Sequence, residues 1–178
     1  IGTELKLNGT YTYTDDINTG ASTVNRKQFV GDTTFNAFTI NNSHRSQSNH
    51  SFYGRVEWGS DTTTSIKYSP SFYYSNNKNN NSSLGSGSNN YIPLMTQTIA
   101  SGNGNNNSSV YNHDLQYYTR LSKKGESFSI ANKLSLSSSH GFNYSYNDLI
   151  SYIAALQSDT LNRYGKNINY RDSYGLNV

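Results

Sequence analysis

Four histidines (His44, His50, His113 and His140) and the serine-rich run from Ser135 to Ser139 are the side chains of this 178-residue sequence suited to metal binding or nucleophilic attack. A zinc site needs ligands converging at about 2 Å, and a serine nucleophile needs a base and an orienting acid beside it. The spacing offers neither: the histidines are scattered, and the serine run has no His and Asp at a recognisable motif. Gly85-Ser86-Gly87 and Gly102-Asn103-Gly104 lack the strand and helix context of a phosphate loop. The absence of cysteine excludes disulfides and cysteine-based zinc or redox centres. The expectation is a protein that is not an enzyme, with no catalytic residue, no metal and no cofactor.

The chemistry that remains is charge carried on one side of strands. Arg55, Glu57, Lys67, Asp114, Arg120, Lys133 and Arg171 alternate with apolar or aromatic neighbours, and alternation with period two marks strands with unlike faces. The stretch from Phe52 to Tyr74 is the clearest case. Phe52, Gly54, Val56 and Trp58 share one face against Tyr53, Arg55 and Glu57; after a polar break at Gly59, Ser60 and Asp61, the greasy face resumes with Ile66, Tyr68, Pro70, Phe72 and Tyr74. Pro70 is awkward in such a strand, because it removes a ladder hydrogen bond. Upstream, Leu5, Leu7, Gly9, Tyr11 and Tyr13 alternate with polar residues, and Gly31-Asp32 offers a two-residue turn. A tight turn there, without a bulge, sets Leu5 opposite Trp58, Leu7 opposite Val56, Gly9 opposite Gly54 and Tyr11 opposite Phe52, while Lys6 meets Glu57 on the other face.

Downstream, Tyr111, His113, Leu115, Tyr117, Thr119 and Leu121 alternate down to a turn at Lys123-Lys124-Gly125. Phe128, Ile130, Leu134, Leu136, Phe142, Tyr144 and Tyr146 rise from it, with Asn132 and His140 as exceptions. A polar Asn132 at mid-membrane depth requires a partner. A last segment carries Ile168, Tyr170, Tyr174, Leu176 and Val178 with Asp172 as its exception. By composition, 76–109 reads as a long loop whose Tyr91-Ile92-Pro93-Leu94-Met95 either anchors it or touches a ligand, and 147–166 as a second loop in which Asp148 caps a short helix.

Only 33% of residues are hydrophobic, the mean hydropathy is −0.78, and no apolar run reaches the roughly 20 residues of a membrane helix. A soluble core rich in tyrosine has to find partners for its hydroxyls. A transmembrane β-barrel fits better, because its lumen and outer loops are polar and only alternate residues meet lipid. The fold expected is all-β: an antiparallel up-and-down segment of about six long strands, residues 1–178 forming part of a larger barrel. Ile1 opens directly in the alternating pattern, without a signal peptide or plug, so the chain reads as a processed or excised piece. The breaks near Gly59 and Lys124 are short, whereas the excursions after Tyr13, Tyr74 and Tyr146 are long. Barrels have short periplasmic turns and long extracellular loops, which places Ile1, Gly59 and Lys124 in the periplasm. Tyr11, Tyr13, Phe72, Tyr74, Phe142, Tyr144 and Tyr146 then form the outer aromatic girdle, Trp58, Tyr117 and Phe128 lie nearer the inner one, and the seven charges face the lumen.

The phrases NGTYTYTDD, HSFYGRVEWGSDTTTSIKYSPSFYYSNN, YTRLSKKGESFSIANKLSLSSS and NYSYNDL, in that order, resemble the barrel region of outer-membrane proteins of the TonB-dependent receptor superfamily in Bacteroidota. The resemblance implies a bacterial outer-membrane location, nutrient uptake or, alternatively, a non-transporting scaffold, and a plug region outside this sequence. A small self-contained barrel or adhesin is a further alternative. The partners implied are the lipid bilayer and lipopolysaccharide, the remaining strands and plug of the barrel, and surface lipoproteins or other outer-membrane proteins through 76–109 and 147–166. The basic residues are scattered, so a pI of about 9.0 does not point to nucleic acid.

Overall fold

The computed structural model describes residues 3–60, 63–122 and 125–178. They form six strands: β1 (Thr3–Val30), β2 (Thr33–Ser60), β3 (Thr64–Asn89), β4 (Thr96–Arg120), β5 (Ser127–Ser151) and β6 (Asp159–Asn177). Each pairs antiparallel with its neighbour in sequence, giving one open up-and-down sheet in the order β1-β2-β3-β4-β5-β6. β1 and β6 are its two edges, so these residues do not close a barrel on their own.

Turn chemistry sets the pairing. Gly31 has φ 57°, the left-handed conformation that a two-residue hairpin turn requires, and the register expected from it is the register found: Leu5 faces Trp58, Gly9 faces Gly54, and the ladder runs without a bulge to Val30 opposite Thr33. Gly125, φ 91°, stands beside the β4–β5 turn, whose Lys123 and Lys124 lie outside the described residues, as do Ile1 and Asp61 of the expected lower breaks.

The outer excursions differ from the expectation. The segments 76–109 and 147–166 are not long loops: β3 continues to Asn89, β4 begins at Thr96, and β5 and β6 are joined only through 152–158. Asparagine and glycine are poor strand formers in isolation, but a ladder already registered by the apolar ends adds backbone hydrogen bonds one residue at a time. The side chains then interleave by size. Asn79 and Asn143 flank Gly104 from either side, and a Cβ there would come within 2.5 Å of the Oδ1 atom of each. Asp148 caps no helix; it lies within β5 and accepts a hydrogen bond from the Thr160 hydroxyl at 2.7 Å.

Pro70 is accommodated by its neighbour. It lies inside β3, and the β2–β3 ladder is interrupted at Gly54 and Arg55 on the facing strand. A Cβ on Gly54 would stand 3.2 Å from the Pro70 ring and 3.2 Å from Phe52 Cζ. Gly54→Val is therefore expected to overpack this point and to cost about 1–3 kcal/mol, read as a lowered urea midpoint with an unchanged slope.

Among the described residues no hydrophobic side chain is buried. A single sheet layer has nothing of its own to cover an apolar face.

Candidate functional site

Because side chains alternate along a strand, the registers decide which residues share a side of the sheet. Odd residues of β1 and β4 and even residues of β2, β3, β5 and β6 lie together. Tyr11, Tyr13, Trp58, Phe72, Tyr74, Tyr117, Phe128, Phe142, Tyr144 and Tyr146 all fall on this side. Arg55, Glu57, Lys67, Asp114, Arg120, Lys133 and Arg171 all fall on the other.

The first side is banded along the strands. One cross-strand row reads Leu5, Trp58, Ile66, Tyr117 and Ile130; the next reads Leu7, Val56, Tyr68, Leu115, Asn132 and Leu176. Further out, Tyr11, Phe52, Phe72, Tyr111 and Leu136 share a row, followed by Tyr13, His50, Tyr74, Ser109, Ser138 and Tyr170. Beyond these the side turns polar, with Ser48, Asn76 and Asn107 aligned. The apolar band is thus about nine residues deep, close to the 9–11 of a tilted membrane strand. Phe142, Tyr144 and Tyr146 stand four to eight residues beyond Ser138, which shares the row of Tyr74. As the rows define it, these three residues lie outside the apolar band.

Polar groups within the band are hydrogen-bonded to one another. The Tyr68 and Tyr111 hydroxyls are 2.9 Å apart, Tyr111 lies 3.2 Å from His113 Nδ1, and His113 Nε2 lies 2.9 Å from Asn132 Oδ1. Asn132 Nδ2 points to the Gly175 carbonyl at 3.5 Å. One set of directions satisfies the chain: Tyr111 donates to Nδ1, Nε2–H donates to Asn132, and Asn132 donates to Gly175. Asn132, the polar exception within the apolar band, thereby has partners on both neighbouring strands. The other histidines are placed separately: His50 Nδ1 meets the Tyr11 hydroxyl at 2.7 Å, His140 Nε2 meets Tyr170 at 2.8 Å, and His44 Nδ1 meets Thr19 at 3.2 Å. Among the described residues no three His, Cys, Asp or Glu gather as metal ligands.

The opposite side carries the charges, and three short-range ion pairs form on it. Arg55 Nε donates to Glu57 at 3.0 Å, Lys133 Nζ lies 3.5 Å from Asp114, and Lys6 pairs with Glu4 at 3.2 Å. Lys6 does stand opposite Glu57 in register, yet its ion pair runs along its own strand. Arg120 and Arg171 lie at opposite levels of the same side. Because the Lys133–Asp114 pair is largely exposed, at 67% and 33%, Asp114→Ala is expected to cost under about 1 kcal/mol of stability, measurable by denaturant titration.

Sequence reasoning missed two features. The Tyr68-to-Gly175 chain depends on three registers at once. The clasp at the hairpin tips, where Tyr152 N–H donates to the Met95 carbonyl at 2.9 Å, joins segments that composition assigned to loops.

No family model matches the chain, and no curated protein matches it. Among solved structures, the ferric yersiniabactin uptake receptor of Yersinia pestis is similar at 13% identity and a TM-score of 0.38, over 89% of this chain and 25% of the receptor. The membrane pore complex of pneumolysin is similar at 7% identity and a TM-score of 0.20, over 97% of this chain and 31% of that one. The chain thus spans about a quarter of the length of the first and under a third of the second.

Proposed function

We propose that the sheet is part of the wall of a bacterial outer-membrane β-barrel of the TonB-dependent receptor kind, taking part in nutrient uptake. The observation that carries this reading is the sorting of the two sides. An apolar band of about nine residues per strand, edged by Tyr and Trp, backs a side that carries the charges, where Arg55 pairs with Glu57 and Lys133 with Asp114. Lipid would cover the band, and the charged side would face a water-filled or plugged lumen. The sheet edges at β1 and β6 would then pair with further strands, since open edges do not persist in hydrocarbon. Uptake, the Bacteroidota source and a plug rest on the sequence resemblance.

A scaffolding role is the second reading, favoured by the outer hairpins. At about 3.3 Å per residue the 28 residues of β2 span roughly 90 Å; with about nine of them in the bilayer, roughly 60 Å of ladder would stand outside it, a stiff platform for a surface partner. Growth on the transported nutrient by a strain lacking the gene would exclude transport.

The membrane reading is tested by labelling, for which the cysteine-free sequence is convenient. Asn103→Cys is expected to react with a membrane-impermeant maleimide on whole cells, and Ser129→Cys only after permeabilisation. Equal labelling of both, or recovery of the protein in the soluble fraction without detergent, would overturn it.

A further inference from the structure

The tips of the three outer hairpins converge on a cavity of about 300 Å³ on the charged side of the sheet. Phe35 and Ala37 of β2, Met95 at the foot of β4, and Ile153 and Leu156 of the β5–β6 connection give it an apolar lining. Arg26 of β1 is the charged residue in that lining, and no carboxylate shares it. Most of this side is polar, and it is not the side of the apolar band, so an apolar cluster here needs an explanation other than lipid contact.

The cavity is built into the backbone. Met95 N–H donates to the Gly87 carbonyl at 2.7 Å, and Tyr152 N–H donates to the Met95 carbonyl at 2.9 Å. The Tyr152 hydroxyl reaches Gln97 Oε1 at 3.1 Å. From the other flank, Asn90 accepts from Thr34 N–H at 3.1 Å and donates to the Asp32 carbonyl at 3.1 Å. One floor position is kept open by Gly87, where a Cβ would lie 2.6 Å from the Thr96 hydroxyl. Ligand sites combine this kind of apolar lining with a few fixed polar groups, and this volume is at the small end of their range.

We propose that the clasped tips bind a small amphipathic anion: one aromatic ring or branched aliphatic chain against Phe35, Met95, Ile153 and Leu156, with its carboxylate on Arg26. The assignment of sign rests on Arg26, whose guanidinium forms no hydrogen bond or ion pair among the described residues and is matched by no acid in the lining. The site depends on the tip geometry and stands whether or not the barrel transports anything.

The test uses the full-length protein in lipid nanodiscs, with 3-phenylpropionate as the probe, 3-phenylpropan-1-ol as its uncharged counterpart, and empty discs as the blank, read by ligand-observed NMR. The acid is expected to bind about fivefold more tightly than the alcohol, the range of one exposed ion pair. Arg26→Gln should bring the two together by weakening only the acid. Ala37→Trp, which fills the cavity from an exposed position, should abolish both while the outer labelling at Asn103→Cys is unchanged. Binding no greater than to empty discs, binding that survives Ala37→Trp, or a preference for the acid untouched by Arg26→Gln would each overturn the proposal, leaving the cluster as a brace between the tips.

Discussion

Leu134→Arg is expected, on the proposed membrane reading, to remove about 2–4 kcal/mol of folding stability in lipid, the cost of a cationic side chain at mid-bilayer on the lipid side of a barrel. Leu134 shares its row with Gly9, Gly54, Pro70 and His113, midway between the row of Trp58 and that of Tyr13. The control is Asn42→Arg, on the same side of the sheet and exposed, but 12 residues further out than Gly54 along β2. There the arginine meets water, and surface substitutions ordinarily change stability by no more than about 0.5 kcal/mol. The contrast between the two positions is what reports the bilayer, because both put the same charge on the same side. Equal small losses at both, in urea titrations of protein folded into vesicles, would mean that the band is wet and covered by something other than lipid.

How much of this arrangement the sequence foretells follows from where its alternation is strong. Between Leu5 and Tyr13, and again between Phe52 and Trp58, large residues alternate with polar ones, so one tight turn at Gly31-Asp32 fixes both the register and the sides. A slip of one residue would turn every side chain over, and the same parity carries through Ile66, Tyr117 and Ile130 across the whole sheet. That is why the ten aromatic residues and the seven charges named from the sequence fall on opposite sides of the sheet. Between Asn76 and Ser109 the contrast in side-chain size and polarity vanishes. Asparagine opposite asparagine, and glycine opposite asparagine, look like loop composition, although the ladder there is continuous and the backbone groups are paired. Asp148 invited a helix for a related reason: Leu149, Ile150, Ile153 and Leu156 fit a helical stripe, but pairing with β4 claims the first two as strand and leaves the others to a short connection.

Pro70 and Asn132 both look like errors in single strands, and both are resolved by a residue on the next strand. Gly54 gives Pro70 its space, and His113 gives Asn132 a donor. Such compensation is invisible along one strand but constrains the sheet strongly, because each pair is workable only in one register.

That compensation makes the His113–Asn132 pair a test of environment as well as of structure. Asn132→Leu leaves His113 Nε2–H without an acceptor in the apolar band, and the expected loss is about 1–3 kcal/mol, the cost of stranding a desolvated donor. His113→Leu strands the Asn132 carbonyl oxygen and is expected to cost a similar amount. The double variant removes both groups and adds apolar surface to the band, so it should be close to the parent protein, with a coupling energy nearly as large as either single loss. In detergent-free water the stranded groups would be hydrated, and each single change would cost little. Measured in vesicles, additive single losses would show that the two side chains do not depend on one another; large losses with full recovery in the double variant would place this polar chain in a dry layer, with Tyr68, Tyr111 and Gly175 holding its two ends.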